Sequence, residues 1–179
     1  MALFNFEREL SPESTLVSRA AKQSCEQQQR DVYESHRHRA FSLAFYMTGN
    51  EIEAEEILTT TFVQAFQESD QPDAFAIDSA LLGELGQRFP LRKEEPSAVI
   101  SPGTGLSHRN VRRSDLESAV RNLPPNERLL FLLRDVEGYS VVNIARLMNL
   151  SEAQVQRACF SARIRLCQVL AEQARTEAA

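Results

Sequence analysis

The hydrophobic positions of this chain recur mainly at steps of three and four, which is the spacing of amphipathic α-helices. Four helices are predicted in the N-terminal half, at about 13–29, 31–48, 51–67 and 73–89. The third has the clearest pattern, and its apolar face contains Ala54, Ile57, Leu58, Thr61, Phe62 and Ala65. Four short helices with apolar stripes imply a compact bundle.

The second and fourth predicted helices each have an apolar stripe as well. In the second helix the stripe contains Tyr33, Ala40, Ala44 and Met47, with Phe41 and Leu43 at its margins. In the fourth helix it contains Phe75, Leu82, Leu85 and Phe89. The pair Gly49-Asn50 predicts a break between the second and third helices.

The C-terminal half predicts a helix-turn-helix. Leu123-Pro124-Pro125 separates two helices, and Gly138 closes the second of them after Val136. Ser140 is positioned to cap a short helix, and Ser151 to cap a long one. The inward positions before Gly138 are Leu129, Leu132, Leu133 and Val136. A short helix, a three-residue turn and a longer capped helix form a unit whose second helix can enter the DNA major groove.

The long helix divides into a buried stripe and an exposed face when its residues are placed about 100° apart. The buried stripe contains Val155, Ala158, Cys159, Ala162, Leu166, Val169 and Leu170. The exposed face and its flanks contain Gln154, Gln156, Arg157, Phe160, Ser161, Arg163, Ile164 and Arg165. Gln154, Gln156 and Arg157 lie at the helix start, where side chains reach base edges.

Composition narrows the class of protein. The chain has 179 residues, of which 42% are hydrophobic, and it has no apolar run long enough to span a membrane and no signal peptide at its start. Its three cysteines, Cys25, Cys159 and Cys167, form no metal-binding pair and indicate a reducing compartment. These features predict an intracellular, all-α protein.

The charge is unevenly distributed along the chain. Residues 1–108 hold 9 basic and 17 acidic side chains, whereas residues 109–170 hold 10 basic side chains, all arginine, and 6 acidic ones. Between the halves, residues 90–109 are rich in proline and glycine and predict a flexible linker. We therefore expect two small helical domains, at 12–89 and 110–172, with different partners.

No motif in the chain predicts an enzyme, a metal site or a cofactor. His36 and His38 would point about 160° apart on a helix, so they cannot share a metal ion. The acidic residues at 51–56 point in several directions and suit a helix start and an interaction face. A phosphate-binding glycine loop and a nucleophile motif are both absent.

Both halves together resemble a known family, the extracytoplasmic-function (ECF) sigma factors of bacterial RNA polymerase. The resemblance spans roughly residues 31–170 and has an N-terminal part between Gly49 and Phe66. That part includes Ala54-Glu55-Glu56-Ile57, Phe62 and Ala65-Phe66. The C-terminal part includes Leu123-Pro124, Arg128, Phe131-Leu132-Leu133-Arg134-Asp135, Glu137-Gly138-Tyr139-Ser140, Ile144-Ala145, Leu150-Ser151, Val155 and Ala162-Arg163.

The resemblance implies a cytoplasmic, nucleoid-associated transcription initiation factor that uses no cofactor. Its partners would be core RNA polymerase, through the β′ clamp helices and the β flap, and promoter DNA, with an anti-sigma factor as a further candidate. The polymerase-binding residues would be Glu53, Glu56, Thr60 and Gln64. The DNA-binding residues, which would read the −35 element, would be Gln154, Gln156, Arg157, Ser161, Arg163 and Arg165.

The chain departs from the family pattern where a sigma factor contacts the −10 element. Thr59-Thr60 stands in place of a usual Gln-Glu pair, the chain has no tryptophan, and residues 67–89 have five acidic side chains and one arginine. Such a surface repels phosphate, whereas capture of single-stranded DNA needs stacking platforms and positive charge. An adapter or decoy that binds polymerase or an anti-sigma partner without melting promoters is therefore an alternative.

The outward positions of Phe160 and Ile164 leave a further choice open. Their side chains could contact thymine methyl groups, another protein, or the N-terminal half. An ordinary helix-turn-helix regulator with an unrelated helical sensor domain is the third hypothesis, and it predicts tight binding to duplex DNA without polymerase.

Overall fold

The structure is a computed structural model that describes residues 12–89 and 111–176, with side chains over 23–89 and 111–173. Every regular element in these ranges is helical, which confirms the all-α prediction. The elements are α1 (Pro12–Thr48), α2 (Glu51–Glu68), α3 (Ala74–Arg88), α4 (Arg113–Arg121), α5 (Pro125–Phe131), a π-helical turn (Leu132–Val136), α6 (Val141–Met148) and α7 (Glu152–Thr176). The predicted linker, 90–109, lies outside the described residues. None of the helices seen in the described ranges combines the length and the apolar character that crossing a bilayer requires.

Helix α1 is one continuous helix of 37 residues, where the sequence pattern predicted two. The expected break near residue 30 is wrong because the local sequence, Gln29-Arg30-Asp31, contains neither glycine nor proline, and all three residues tolerate helical geometry. The break at Gly49-Asn50 is confirmed. Gly49 has a φ of +71°, and the side chain of Asn50 accepts a hydrogen bond of 2.9 Å from the backbone N–H of Ile52. Three helices therefore replace the predicted four.

The N-terminal helices bury the faces that the pattern predicted, with one exception in α3. All six predicted apolar residues of α2 are buried, and Ala40, Ala44 and Met47 of α1 are buried with them. In α3 the buried side contains Ile77, Ala80, Leu81, Leu82 and Leu85. The prediction that Phe75 belongs to this core is wrong. Phe75 is 39% exposed, because it lies in the first turn of α3 and its ring contacts the guanidinium of Arg146 in α6 instead of the core.

The predicted helix-turn-helix is present as α6 and α7. The hydroxyl of Ser140 accepts a hydrogen bond of 3.1 Å from the N–H of Asn143, and Ser151 accepts one of 3.3 Å from the N–H of Gln154. Both predicted caps are therefore confirmed. Between the helices, Asn149 adopts a left-handed conformation with a φ of +51°, which ends α6 and turns the chain towards α7.

A π-helical turn precedes the helix-turn-helix and corrects one predicted core position. The N–H of Glu137 donates to the carbonyl of Leu132 at 2.9 Å, a span of five residues. This wider turn rotates the residues that follow, so Val136 is 55% exposed instead of buried. Gly138, with a φ of +75°, then closes the segment as predicted. Leu129, Leu132 and Leu133 are buried as expected.

The two halves contact each other through Arg128 of α5. Its guanidinium donates to the carbonyl of Met47 at 2.8 Å, at the C-terminal end of α1, to the carbonyl of Arg121 at the end of α4, and to the carbonyl of Leu123 at 3.0 Å. Arg128 therefore binds the carbonyls of Met47 and Arg121, which lie in the last turns of α1 and α4, where helical hydrogen bonds leave carbonyl groups without partners. Helix α3 also packs against α6, which brings the first helix of the helix-turn-helix against the N-terminal half.

Candidate nucleic-acid and polymerase interfaces

The first turn of α7 is fixed by a reciprocal cap between Ser151 and Gln154. The side-chain oxygen of Gln154 accepts hydrogen bonds from the N–H and the hydroxyl of Ser151, at 2.8 and 3.0 Å. This is the arrangement of a capping box. Gln154 was predicted to read DNA, but its acceptor oxygen is engaged in the cap. Only the side-chain amide nitrogen of Gln154 is therefore available to donate to a base edge.

Three exposed side chains follow the cap on one face of α7: Gln156, Arg157 and Phe160. We call them the recognition surface. Arg157 lies along the helix, and its Nε donates to the carbonyl of Ala153 at 3.3 Å. The ring of Phe160 is 65% exposed, one turn further on. The surface combines one cation, one amide and one apolar ring, which are the side-chain types that read base edges and thymine methyl groups.

Ser161 lies on the opposite side of the helix from the one predicted. It is 7% exposed, and its hydroxyl donates to Oε1 of Glu127 at 2.9 Å. Glu127 is itself buried in α5, and its other carboxylate oxygen lies 3.0 Å from Nε of Arg165. The exposed placement of Ser161 is therefore wrong. Ser161 and Arg165 join α7 to α5 around one buried carboxylate.

Arg163 forms an ion pair with Asp135 of the π-helical turn. Its Nε lies 3.1 Å from one carboxylate oxygen, and its Nη2 donates to the other. These hydrogen bonds raise the pKa of the Arg163 guanidinium above its usual value. The Arg163 side chain is 53% exposed, so solvent reaches it. A phosphate that bound Arg163 would exchange with the Asp135 carboxylate.

The predicted polymerase-binding residues Glu53, Glu56, Thr60 and Gln64 are on the solvent side of α2. Glu56 pairs with Arg88 of α3 at 3.3 Å, and the hydroxyl of Thr60 donates to the carbonyl of Glu56 at 2.9 Å. The sequence analysis did not include two exposed apolar residues on this solvent side of α2. Ile52 and Val63 are 71% and 52% exposed. The helical period could have identified both, because they lie opposite the buried face of α2.

The histidines and cysteines show no arrangement for metal chemistry within residues 23–89 and 111–173. No group of three or more histidine, cysteine or acidic side chains in these ranges is placed to hold a metal ion. Cys159 is buried, and its burial raises the pKa of its thiol, whereas Cys167 is exposed.

Residues 113–166, from α4 into α7, match the protein family described as Sigma-70, region 4. Over 158 aligned residues the chain is 25% identical to the ECF RNA polymerase sigma factor SigE of Mycolicibacterium smegmatis. That match covers 79% of this chain, and the chain spans 61% of the length of that curated relative.

A solved structure has the same fold. The sigma factor RpoE of Bartonella quintana, in complex with the anti-sigma factor NepR, superimposes with a TM-score of 0.61 at 14% identity. The superposition covers 79% of this chain and 95% of that one. The fold and the helix-turn-helix therefore define a helical protein whose residues 113–166 are similar to sigma region 4. The resemblance to the ECF sigma factors is confirmed.

Proposed function

We propose that this chain is a transcription initiation factor of the ECF sigma type, which binds core RNA polymerase and directs it to specific promoters. The observation that carries the proposal is a capped helix-turn-helix, with an exposed recognition surface on α7, inside residues that match sigma region 4. Such a factor works in the cytoplasm, at the nucleoid, and uses no enzymatic chemistry of its own.

On the DNA side, we assign base contacts in the −35 element to the recognition surface. Gln156 and Arg157 would donate to base edges, and Phe160 would contact a thymine methyl group. Arg163 would hold a phosphate after exchange with Asp135. We leave Arg165 and Ser161 out of this assignment, because both contact the buried carboxylate of Glu127. The amide nitrogen of Gln154 would be a further donor at the helix start.

On the polymerase side, we assign the solvent side of α2 to the β′ clamp helices, with Glu53, Glu56, Thr60 and Gln64 as contacts. The exposed Ile52 and Val63 add apolar area between these polar groups. Apolar centres surrounded by polar residues are typical of protein–protein interfaces. The C-terminal half would sit on the β flap, and an anti-sigma protein is a further proposed partner.

The proposed domains, 12–89 and 110–172 with the linker 90–109, would make promoter recognition bivalent. Polymerase would hold the two domains at a fixed separation, so that each contact raises the effective concentration of the other.

The proposal is tested by a pull-down with purified bacterial core RNA polymerase, followed by transcription in vitro from pooled genomic promoters. We expect polymerase binding and discrete transcripts. Arg157→Ala should reduce those transcripts while polymerase binding persists, because it removes one base contact. The matched control is Arg37→Ala, which removes a half-buried arginine of α1 that pairs with Glu34 and should leave the transcripts unchanged. Polymerase binding without any discrete transcript would contradict the proposal.

A second candidate function is an adapter or decoy that binds polymerase without melting promoters. The acidic α3 segment favours it, since residues 67–89 have five acidic side chains and one arginine, with no tryptophan. Permanganate reactivity of thymines in a complex of polymerase, protein and promoter separates the two candidates. Unpaired thymines support the initiation factor, and fully paired DNA with bound polymerase supports the adapter.

A further inference from the structure

The π-helical turn before the helix-turn-helix places Asp135 against α7. The wide turn is closed by the hydrogen bond of 2.9 Å from the N–H of Glu137 to the carbonyl of Leu132. The guanidinium of Arg134 donates to the carbonyl of Tyr139 at 2.7 Å and ties the turn to the residues that follow it. Turns of this kind are frequent at functional sites. The backbone that carries Asp135 is therefore held in place on both sides.

The carboxylate of Asp135 pairs side by side with the guanidinium of Arg163. Nε of Arg163 donates to Oδ2 of Asp135 at 3.1 Å and Nη2 donates to Oδ1, so both carboxylate oxygens are used. The Asp135 side chain is the more buried of the two. A guanidinium binds a carboxylate and a phosphate through the same pairs of parallel N–H groups. Asp135 thus occupies Arg163 as a DNA phosphate would.

Arg163 lies on the part of α7 where a phosphate contact is expected. It follows Phe160 of the recognition surface by three residues, which is about one turn of the helix. Side chains on the flank of a recognition helix contact the phosphate backbone, and they contribute affinity and register on every DNA sequence. The ion pair of Arg163 with Asp135 has no net charge, so it attracts phosphate less than a free arginine does.

We propose that Asp135 is an internal competitor of the DNA phosphate at Arg163, and that it limits how tightly the helix-turn-helix binds duplex DNA of any sequence. The inference rests on the proposed function in one respect, since it takes α7 to be the helix that enters the groove. Arg163 binds a phosphate only in the fraction of molecules in which it has left Asp135, and the affinity for DNA is reduced by that fraction. Promoter choice then depends more on the base contacts of the recognition surface and on polymerase, which joins them to the second domain.

The test removes the charge of Asp135 and keeps the shape of its side chain, in the variant Asp135→Asn. Asp135→Glu keeps the charge and is the control for shape. Glu117→Gln is the control for charge, because Glu117 lies in the same half and pairs at 2.8 Å with Arg113 of its own helix, α4. Circular dichroism confirms that each variant is folded.

Fluorescence anisotropy gives the affinity of each full-length protein for a random-sequence duplex about three helical turns long, over a series of salt concentrations. We expect Asp135→Asn to bind about threefold more tightly than the wild type at low salt, since an exposed ion pair shifts such an exchange only a few-fold. The slope of log K against log salt should steepen by about 0.9, the value for one further phosphate contact. Asp135→Glu and Glu117→Gln should stay close to the wild type in affinity and in slope.

A double-mutant cycle with Arg163→Ala separates competition at Arg163 from a general effect of charge. In the Arg163→Ala background, Asp135→Asn should give a much smaller gain, because only the long-range repulsion between the carboxylate and DNA is left to remove. An equal gain in both backgrounds would overturn the proposal. Weaker duplex binding by Asp135→Asn would overturn it as well, since Asp135 would then orient Arg163 towards the phosphate. Absence of duplex binding by both the wild type and Asp135→Asn at the lowest salt would have the same consequence.

The outcome is separate from that of the transcription assay. Tighter duplex binding by Asp135→Asn, without transcripts from the wild type, would refute the proposed function and leave the role of Asp135 standing. Transcripts from the wild type, with no gain in duplex binding by Asp135→Asn, would refute only the role of Asp135.

Discussion

Replacing Arg165 by alanine should lower the free energy of unfolding by about 2 kcal/mol, because a buried carboxylate then loses its counter-charge. The carboxylate belongs to Glu127, which is 8% exposed and lies 3.0 Å from Nε of Arg165. Removal of one partner from a fully buried ion pair costs about 3–5 kcal/mol, whereas an exposed pair is worth about 0.2–1 kcal/mol. The Arg165 side chain is 36% exposed, so solvent screening places its loss between these limits.

Thermal and urea unfolding of the full chain, followed by circular dichroism, measure this loss. A change of about 2 kcal/mol corresponds to a fall in Tm of roughly 4–8 °C for a chain of this size. Arg163→Ala is the matched control and should cost less than about 1 kcal/mol, because its partner Asp135 has a more exposed side chain than Glu127, 24% against 10%. In a Glu127→Gln background, Arg165→Ala should lose most of its effect, since the buried charge is already gone. An equal loss in both backgrounds would refute the reasoning.

Other matched residues test other parts of the structure. Gly138→Ala should destabilise the chain by about 1–2 kcal/mol, because its φ is +75°. Gly83→Ala, in the middle of α3 with no atom within 4 Å of the added Cβ, should stabilise it by about 0.5–1 kcal/mol. Urea midpoints compare the two, and equal shifts would contradict the backbone argument. A maleimide should modify Cys167 well before Cys159, because burial raises the pKa of the Cys159 thiol and the thiolate is the reactive form. Peptide mass spectrometry reads the order, and simultaneous labelling would count against it. Burial raises the pKa of Asp78 above its ordinary value of 3.8, so the folded state binds this proton more tightly than the unfolded state does. The stability contributed by Asp78 is therefore greatest below pH 3.8 and falls as pH rises through the folded pKa. In Asp78→Asn this fall should be absent from the pH dependence of the urea midpoint, and identical pH profiles would show that the shift is not present.

Features that depend on local chemistry could be predicted from the sequence. Ser140 and Ser151 cap their helices because a hydroxyl beside a helix start accepts a free backbone N–H wherever that pattern occurs. Gly49 and Gly138 end their segments because glycine tolerates a positive φ. The buried face of α2 follows from the helical period alone, since its six apolar positions fall on one side.

Features that depend on distant partners could not be predicted in this way. Ser161 lies near the border of the helical wheel, and Glu127, 34 residues earlier, decides that it points inward. Val136 turns outward because a π-helical hydrogen bond replaces an α-helical one, and the apolar period has no signal for that change. The contact between Asp78 and Tyr139 joins positions 61 residues apart. Within the candidate site, the roles of Gln156 and Arg157 in base recognition stay predictions.

The C-terminal end of α1 takes a hydrogen bond from Arg128 of the other half. This contact limits how the halves can be exchanged between related proteins. The last turn of α1 depends on a guanidinium that lies 81 residues later in the chain. In a chimera that joined residues 12–89 to the C-terminal half of a relative, the Met47 carbonyl would keep its partner if the relative supplied an arginine at the equivalent position. In a chimera with leucine at that position, the last turn of α1, next to Gly49, would fray. The compatibility of exchanged halves would then depend on this one side chain as well as on promoter preference.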